Sequence, residues 1–186
     1  MSTGQSAAAS SITYTVDPAH STIDFRVRHL MIAHIRGDFS GVSGTLLYDP
    51  LNPVNSKVEA EIEVATLNTR DAHRDQHVKA PDFLDVEKFP KIKFTSKKIV
   101  AAGRDHWKLT GDLTIHGVTK EVTLDVEGPT PEAKDPFGNV KIAAVATAKI
   151  SRKDFGLSWN IPLETGGVML GDEVSLHVEV ELTRQK

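Results

Sequence analysis

The stretch TRDAHRDQHVKAPDFLDVEKFP, Thr69 to Pro90, gathers Arg70, Asp71, His73, Asp75 and His77 into eight residues. Asn68 is placed to cap a short helix, with Asp71 at N3, and Pro81 ends it by restricting Ala80, so a helix is predicted from roughly Thr69 to Lys79. On that helix His73 and His77 lie four residues apart and share a face. The spacing suits two metal ligands of a metal-dependent enzyme, with His29 or His34 as a third. The other reading is a polar helix whose histidines are solvated or hydrogen-bond strand carbonyls. Nothing recognisable completes the metal set: the chain has no HExxH, no cysteine and no carboxylate at a ligand interval.

Other sources of chemistry are sparse. Without cysteine there are no disulfides, thiolate ligands or cysteine nucleophiles. There is no GxSxG elbow, Walker loop or GxGxxG turn, and Asp154-Phe155-Gly156 lacks the other motifs that make the same tripeptide a magnesium site in kinases. Asp85 with Glu87 and Asp172 with Glu173 sit in polar turns, where solvated charges are the default. No nucleophile, base and orienting group occur as a set, so the expectation is no catalysis and no metal.

The elements that must position these residues are strands. Val58, Ala60, Ile62 and Val64 alternate with glutamates, and Val174, Leu176, Val178, Val180 and Leu182 alternate with polar residues. Similar alternation gives nine candidates: ITYTV, STIDFRVRH, DFSGVSGTLLY, KVEAEIEVATL, KIKFTSKKIV, HWKLTGDLTI, VTKEVTLDV, NVKIAAVATAKI and DEVSLHVEVEL, separated by Pro and Gly turns. No sustained helical period is present, so the fold class is all-β and antiparallel, with a tall barrel of about eight strands preferred over a sandwich. Large residues such as Phe25 and Trp107 coexist with Ala144, Ala146, Gly44 and Gly111. The small residues either leave a cavity or permit corners and tight contacts. His29 follows Phe25 and Val27 at spacing two and points inward, as a satisfied core residue or as a polar group orienting a ligand.

At 186 residues and 39% hydrophobic content, one domain over 12–184 is expected behind a disordered polar tail, 1–11. A net charge of -3 with interleaved signs gives no nucleic-acid footprint, and no apolar run approaches the ~20 residues of a transmembrane helix. The polar start lacks a secretory leader, which points to the cytoplasm, or to the periplasm if a leader has been removed.

The order of YTVDPAHSTIDFRVRHL, GDFSGVSGTL, TLNTRDAHRDQHVKAPDFLDVEKFPKIKFTS, GDLTIHGVTKEV and ISRKDFGLSWNIPLETGGVMLGDEVSLHVEVEL resembles the YceI-like family of bacterial polyisoprenoid-binding proteins, over about Ile12 to Leu182. The resemblance implies an extended, lipocalin-like barrel, often dimeric, that binds rather than transforms an isoprenoid lipid: a polyprenyl alcohol, its phosphate or a quinone tail. No cofactor is implied. The wall would be Phe25, Val27, Phe39, Ile62, Val64, Phe94, Leu113, Ile115, Ala144 and Ala146. Arg70, Asp71 and His73, and then Phe83, Asp85, Lys88, Phe89 and Pro90, match the family's structural signature near the cavity. His29, Arg70, His73 and His77 are candidates for the head-group end, Arg70 above all for a phosphate. A third reading is an interaction or stress-response module in which the barrel is only structural.

Overall fold

The structure is a computed structural model that describes residues 11–186, so the expected disordered tail lies outside the described residues but for Ser11. The strands are β1 (Ile12–Val16), β2 (Thr22–His29), β3 (Ala33–Phe39), β4 (Val42–Tyr48), β5 (Lys57–Glu63), β6 (Leu67–Asn68), β7 (Lys91–Gly103), β8 (His106–Ile115), β9 (Val118–Glu127), β10 (Ala133–Lys134), β11 (Val140–Ser151) and β12 (Leu170–Arg184), with one helix, α1 (Ala72–Lys79).

All pairings are antiparallel, and they close. The β1 and β2 strands share one edge of β12, with Val16 opposite Leu182 and Ile23 opposite Val178, while β11 takes the other edge from Lys141↔Thr183 to Ser151↔Glu173. The first two sequence candidates are therefore one strand bent at the Pro18–His20 turn. In the same way β3 continues into β4, and β5 into β6. With these joined, the chain is an eight-stranded up-and-down barrel whose first and last strands pair. Alternation missed residues 33–37 of β3, because Ala33, His34 and Arg36 give that segment no apolar contrast.

Closure is pinned where β1 leaves β12. Lys141 Nζ lies 2.6 Å from both Asp17 Oδ2 and Glu181 Oε1, and His20 Nδ1 lies 3.0 Å from Asp17 Oδ2. The lysine, then the histidine, hold the Asp17 carboxyl far below the usual carboxylate range.

Inward side chains fill half of the barrel. On β8, Leu109, Leu113 and Ile115 are buried, each worth roughly 1.5–3 kcal/mol relative to exposure. Toward the α1 end, Phe83 and Leu84 from the coil after the helix and Phe155 and Leu157 after β11 pack with Val27, Phe39, Val64, Leu67, Ile92 and Ile115 into a solid plug. Arg152, 3% exposed, ties this plug together: its Nε donates to Gly171 O at 2.8 Å, and its Nη1 donates to Leu157 O at 2.5 Å and Trp159 O at 2.9 Å. The Asp154-Phe155-Gly156 triplet is part of this plug: Phe155 is buried, and Gly156, at φ 76°, ends a 3-10 turn.

The helix starts later than its sequence predicts. Thr69 is buried, and its N–H and hydroxyl both donate to Asp75 Oδ1, while Arg70 takes a φ of 65°. Asp71, rather than Asn68, is the cap, accepting from Arg74 N at 3.0 Å; Asn68 instead accepts from Arg70 N.

Candidate functional site

Beyond the plug the interior is open. A cavity of about 230 Å³ runs from the middle of the barrel to the end opposite α1. Its wall is built from the inward faces of all eight bent strands, with Val42, Leu46, Ile62, Phe94, Leu113, Leu124, Ala144, Ala146, Val178 and Leu182 among them. At the far end it meets Tyr48, Pro53 and Ser56 on one side and Trp107, Gly128 and Pro129 on the other. These residues flank the β4–β5 connection and the segment after β9, so the cavity reaches the barrel end through loops, while its other end stops at packed side chains.

The lining is apolar with a few polar groups at the loop end, the pattern of a site that recognises shape and hydrocarbon. Glu59 borders it, but alternation on β5 turns Val58, Ala60 and Ile62 inward and this carboxylate outward. The Trp107 indole N–H donates to Gly128 O at 2.7 Å and is not free for a ligand. Tyr48 is half-buried, and its pKa is raised by burial first and then by Asp105 and Asp49. It therefore stays a neutral phenol at neutral pH. Tyr14, edge-on to it at 6.4 Å, is almost fully buried and donates to Glu132 Oε1 at 2.5 Å, with its pKa pushed up to about 12 by burial and by that carboxylate.

Five of the ten expected wall residues line this cavity: Ile62, Phe94, Leu113, Ala144 and Ala146. Val27, Phe39, Val64 and Ile115 are buried in the plug, and the Phe25 ring packs at 5.7 Å from Phe39, across Gly37. Strand alternation specifies the face of each residue but not its height along the barrel. The small residues divide in the same way. Ala144 and Ala146 leave space, whereas a Cβ on Gly111 would stand 2.6 Å from the Phe94 ring and one on Gly44 2.5 Å from Glu59 O, so these two glycines serve close packing. Tyr48, Ser56 and Pro129 were not foreseen: Tyr48 is the last residue of β4, while Ser56 and Pro129 lie in connections at the barrel end that carry no periodic signal.

The four candidate head-group residues do not line the cavity; they lie at or beyond the plugged end. His29 ends β2, half-buried and opposite Leu170. Arg70 borders a depression of about 780 Å³ on the outer wall, beside Arg26, Arg36, Asp24 and Asp38. His73 is exposed. His77 Nε2 lies 2.9 Å from Asp82 Oδ2, and the ring stands edge-on to Trp159 at 4.8 Å and to Phe83 at 5.7 Å, so it completes the plug. Among the described residues, the group of three ligand-capable side chains within mutual reach is Asp17, His20 and Glu181, away from His73 and His77. Lys141 already sits against both of its carboxylates.

Fold and site together define a closed antiparallel barrel, plugged at one end, with an apolar cavity reaching the other. Comparison with known proteins gives this class a family. Residues 14–182 match the YceI-like domain. A UPF0312 protein of Staphylococcus aureus (strain MSSA476) is 34% identical over 170 residues, covering 91% of this chain and 96% of the relative. The crystal structure of the Campylobacter jejuni YceI protein is 33% identical with a TM-score of 0.71, covering 86% and 90% of the two chains. A polyisoprenoid binding domain from Saccharophagus degradans has the same fold, with a TM-score of 0.66 at 14% identity over 94% and 99%. The chain belongs to the YceI-like family. No helix of the described residues is long and apolar enough to cross a membrane, which leaves membrane passage by strands unaddressed.

Proposed function

We propose that this protein is a non-catalytic holder of an isoprenoid lipid, a polyprenyl alcohol or phosphate or a quinone tail, for storage or transport. The observation that carries this reading is the apolar cavity itself, opening toward loops at one end and backed by a packed plug. A hydrocarbon tail offers no hydrogen bonds, so its affinity comes from apolar area at ~25 cal/mol per Å². The lining supplies that and little else. The polyisoprenoid binding of the Saccharophagus degradans relative supports the same ligand class.

The cavity sets the pose. At about 230 Å³ it falls below the ~300–1,000 Å³ of sites that enclose a drug-sized ligand, so it takes the end of a long chain and leaves the head near the loops. There Tyr48 offers a neutral phenol O–H, with Ser56 beside it. The head-group end is thus assigned to Tyr48 rather than to His29, Arg70, His73 or His77.

Trp107 makes the reading testable, because it lines the cavity while Trp159 lies in the plug. In a Trp159→Phe background, a prenylquinone is expected to quench Trp107 fluorescence saturably, and Ala144→Phe with Ala146→Phe to abolish the quenching while the circular dichroism stays unchanged. Quenching that survives both substitutions would place the quinone elsewhere and refute the reading.

A further inference from the structure

The β2–β3 hairpin carries features that neither the barrel nor the cavity requires. Its tip, Leu30-Met31-Ile32, is apolar and exposed, with Ile32 at 80%. Leu30 and Met31 both take left-handed backbone, φ 51° and 60°, which bulky side chains resist and which a tight turn ordinarily gives to Asn and Gly. The tip is not isolated: Leu30 N donates to Met169 O and Met169 N donates to Ile161 O, so exposed Ile161 stands in the same ladder.

Behind this apolar tip lies positive charge. On the outer face Arg26 pairs across the strands with Arg36, and Arg28 with His34. Like charges directly opposite one another destabilise a sheet. Carboxylates do not relieve them: the arginine–carboxylate pairs of the described residues are those of Arg104, Arg152 and Arg184. Arg28 instead holds the tip, donating from Nε and Nη2 to Met31 O at 3.1 and 2.8 Å. His34 is pushed below its usual range by desolvation and then by the three arginines, so the guanidiniums carry the charge. The acidic groups on the strands around this hairpin are Asp24 opposite Asp38, one rung further from the tip, and Asp172 and Glu173 on β12, between Leu170 opposite His29 and Val174 opposite Val27; these two are paired with Arg152 and Lys153 and with Lys149.

We propose that the β2–β3 hairpin is a docking element for an anionic lipid bilayer, the tip entering the interface and Arg26, Arg28 and Arg36 lying against the headgroups. An apolar tip backed by unpaired arginines complements such a surface on both counts, apolar and charged. A second copy of the chain fits less well, because a two-fold contact at this tip brings Arg28 against Arg28. The proposal is independent of what fills the cavity.

The test is flotation of the full chain with vesicles of phosphatidylcholine alone or with phosphatidylglycerol added. Binding is expected only to the anionic vesicles, and it should weaken with added salt. Ile32→Asp, and separately Arg26→Gln with Arg36→Gln, should each reduce it by about tenfold or more while the quenching of Trp107 by prenylquinone is unchanged. The cavity-filled Ala144→Phe/Ala146→Phe variant should still float, which separates this proposal from the lipid-holding one. Flotation with both vesicle types equally, with neither, or undiminished in Ile32→Asp would overturn it. So would a vesicle-independent dimer that Ile32→Asp dissolves, which would give the tip to a second copy.

Discussion

Lys141 shows how a single residue holds the barrel shut. Its ammonium neutralises Asp17 and Glu181 where β1, β11 and β12 meet, and at 17% exposure it is largely withdrawn from water. Because the folded state depresses the Asp17 pKa, the pair contributes stability above the unfolded carboxylate pKa of about 3.9 and loses it as pH falls through the folded value. Lys141→Met should cost on the order of 2–3 kcal/mol near pH 7, and the gap from the parent should begin to narrow below about pH 4 and go on narrowing as pH falls toward the depressed folded value of Asp17. Urea denaturation across pH checks this; a gap independent of pH would show that the lysine acts through packing. Tyr14 has the opposite sign, its raised pKa giving stability that is lost as pH rises from roughly 10 toward about 12. The sequence showed the spacing of His73 and His77 but not Asp82 or Trp159, which decide what His77 does. Arg152 had no signal at all, since a buried cation bonded to backbone carbonyls leaves no motif.

At the scale of elements, the long strands were legible because alternation reports burial directly: β8 buries Leu109, Gly111, Leu113 and Ile115 and wets the residues between. Bends were not legible, because a strand that turns a barrel corner keeps its period on both sides, so β1 and β2 read as separate strands. The helix onset was misplaced because Thr69 is held by Asp75, a contact invisible to a capping rule. Two substitutions test the local accounts. Gly111→Ala places a Cβ 2.4 Å from Thr95 O and should cost roughly 1–3 kcal/mol, read as a lower denaturation midpoint with an unchanged m-value. Leu30→Asn with Met31→Gly relieves two left-handed residues and should stabilise the protein by about 1–2 kcal/mol. A rise in thermal midpoint is the expected readout; a fall would mean that the apolar tip packs against something in the folded chain.

Over the whole molecule, closure of the first strand on the last creates an interior, and its contents decide the function. One half is solid with Phe83, Phe155 and their neighbours; the other is left open partly because Ala144 and Ala146 stand where larger residues would fill it. Composition and alternation established an all-β barrel and its inward faces. They could not establish which level of the barrel was empty, because that depends on loops folding into one end. Filling the cavity with Phe at positions 144 and 146 should preserve the barrel and exclude the ligand. The most direct measurement is native mass spectrometry of the protein purified without detergent from its own cells. The parent is expected to carry a bound mass that organic solvent releases and that fragments as an isoprenoid, and the doubly substituted variant to fly at the mass of its polypeptide alone. A parent that also flies only at its polypeptide mass in repeated preparations, or a bound mass that persists in the filled variant, would contradict the account.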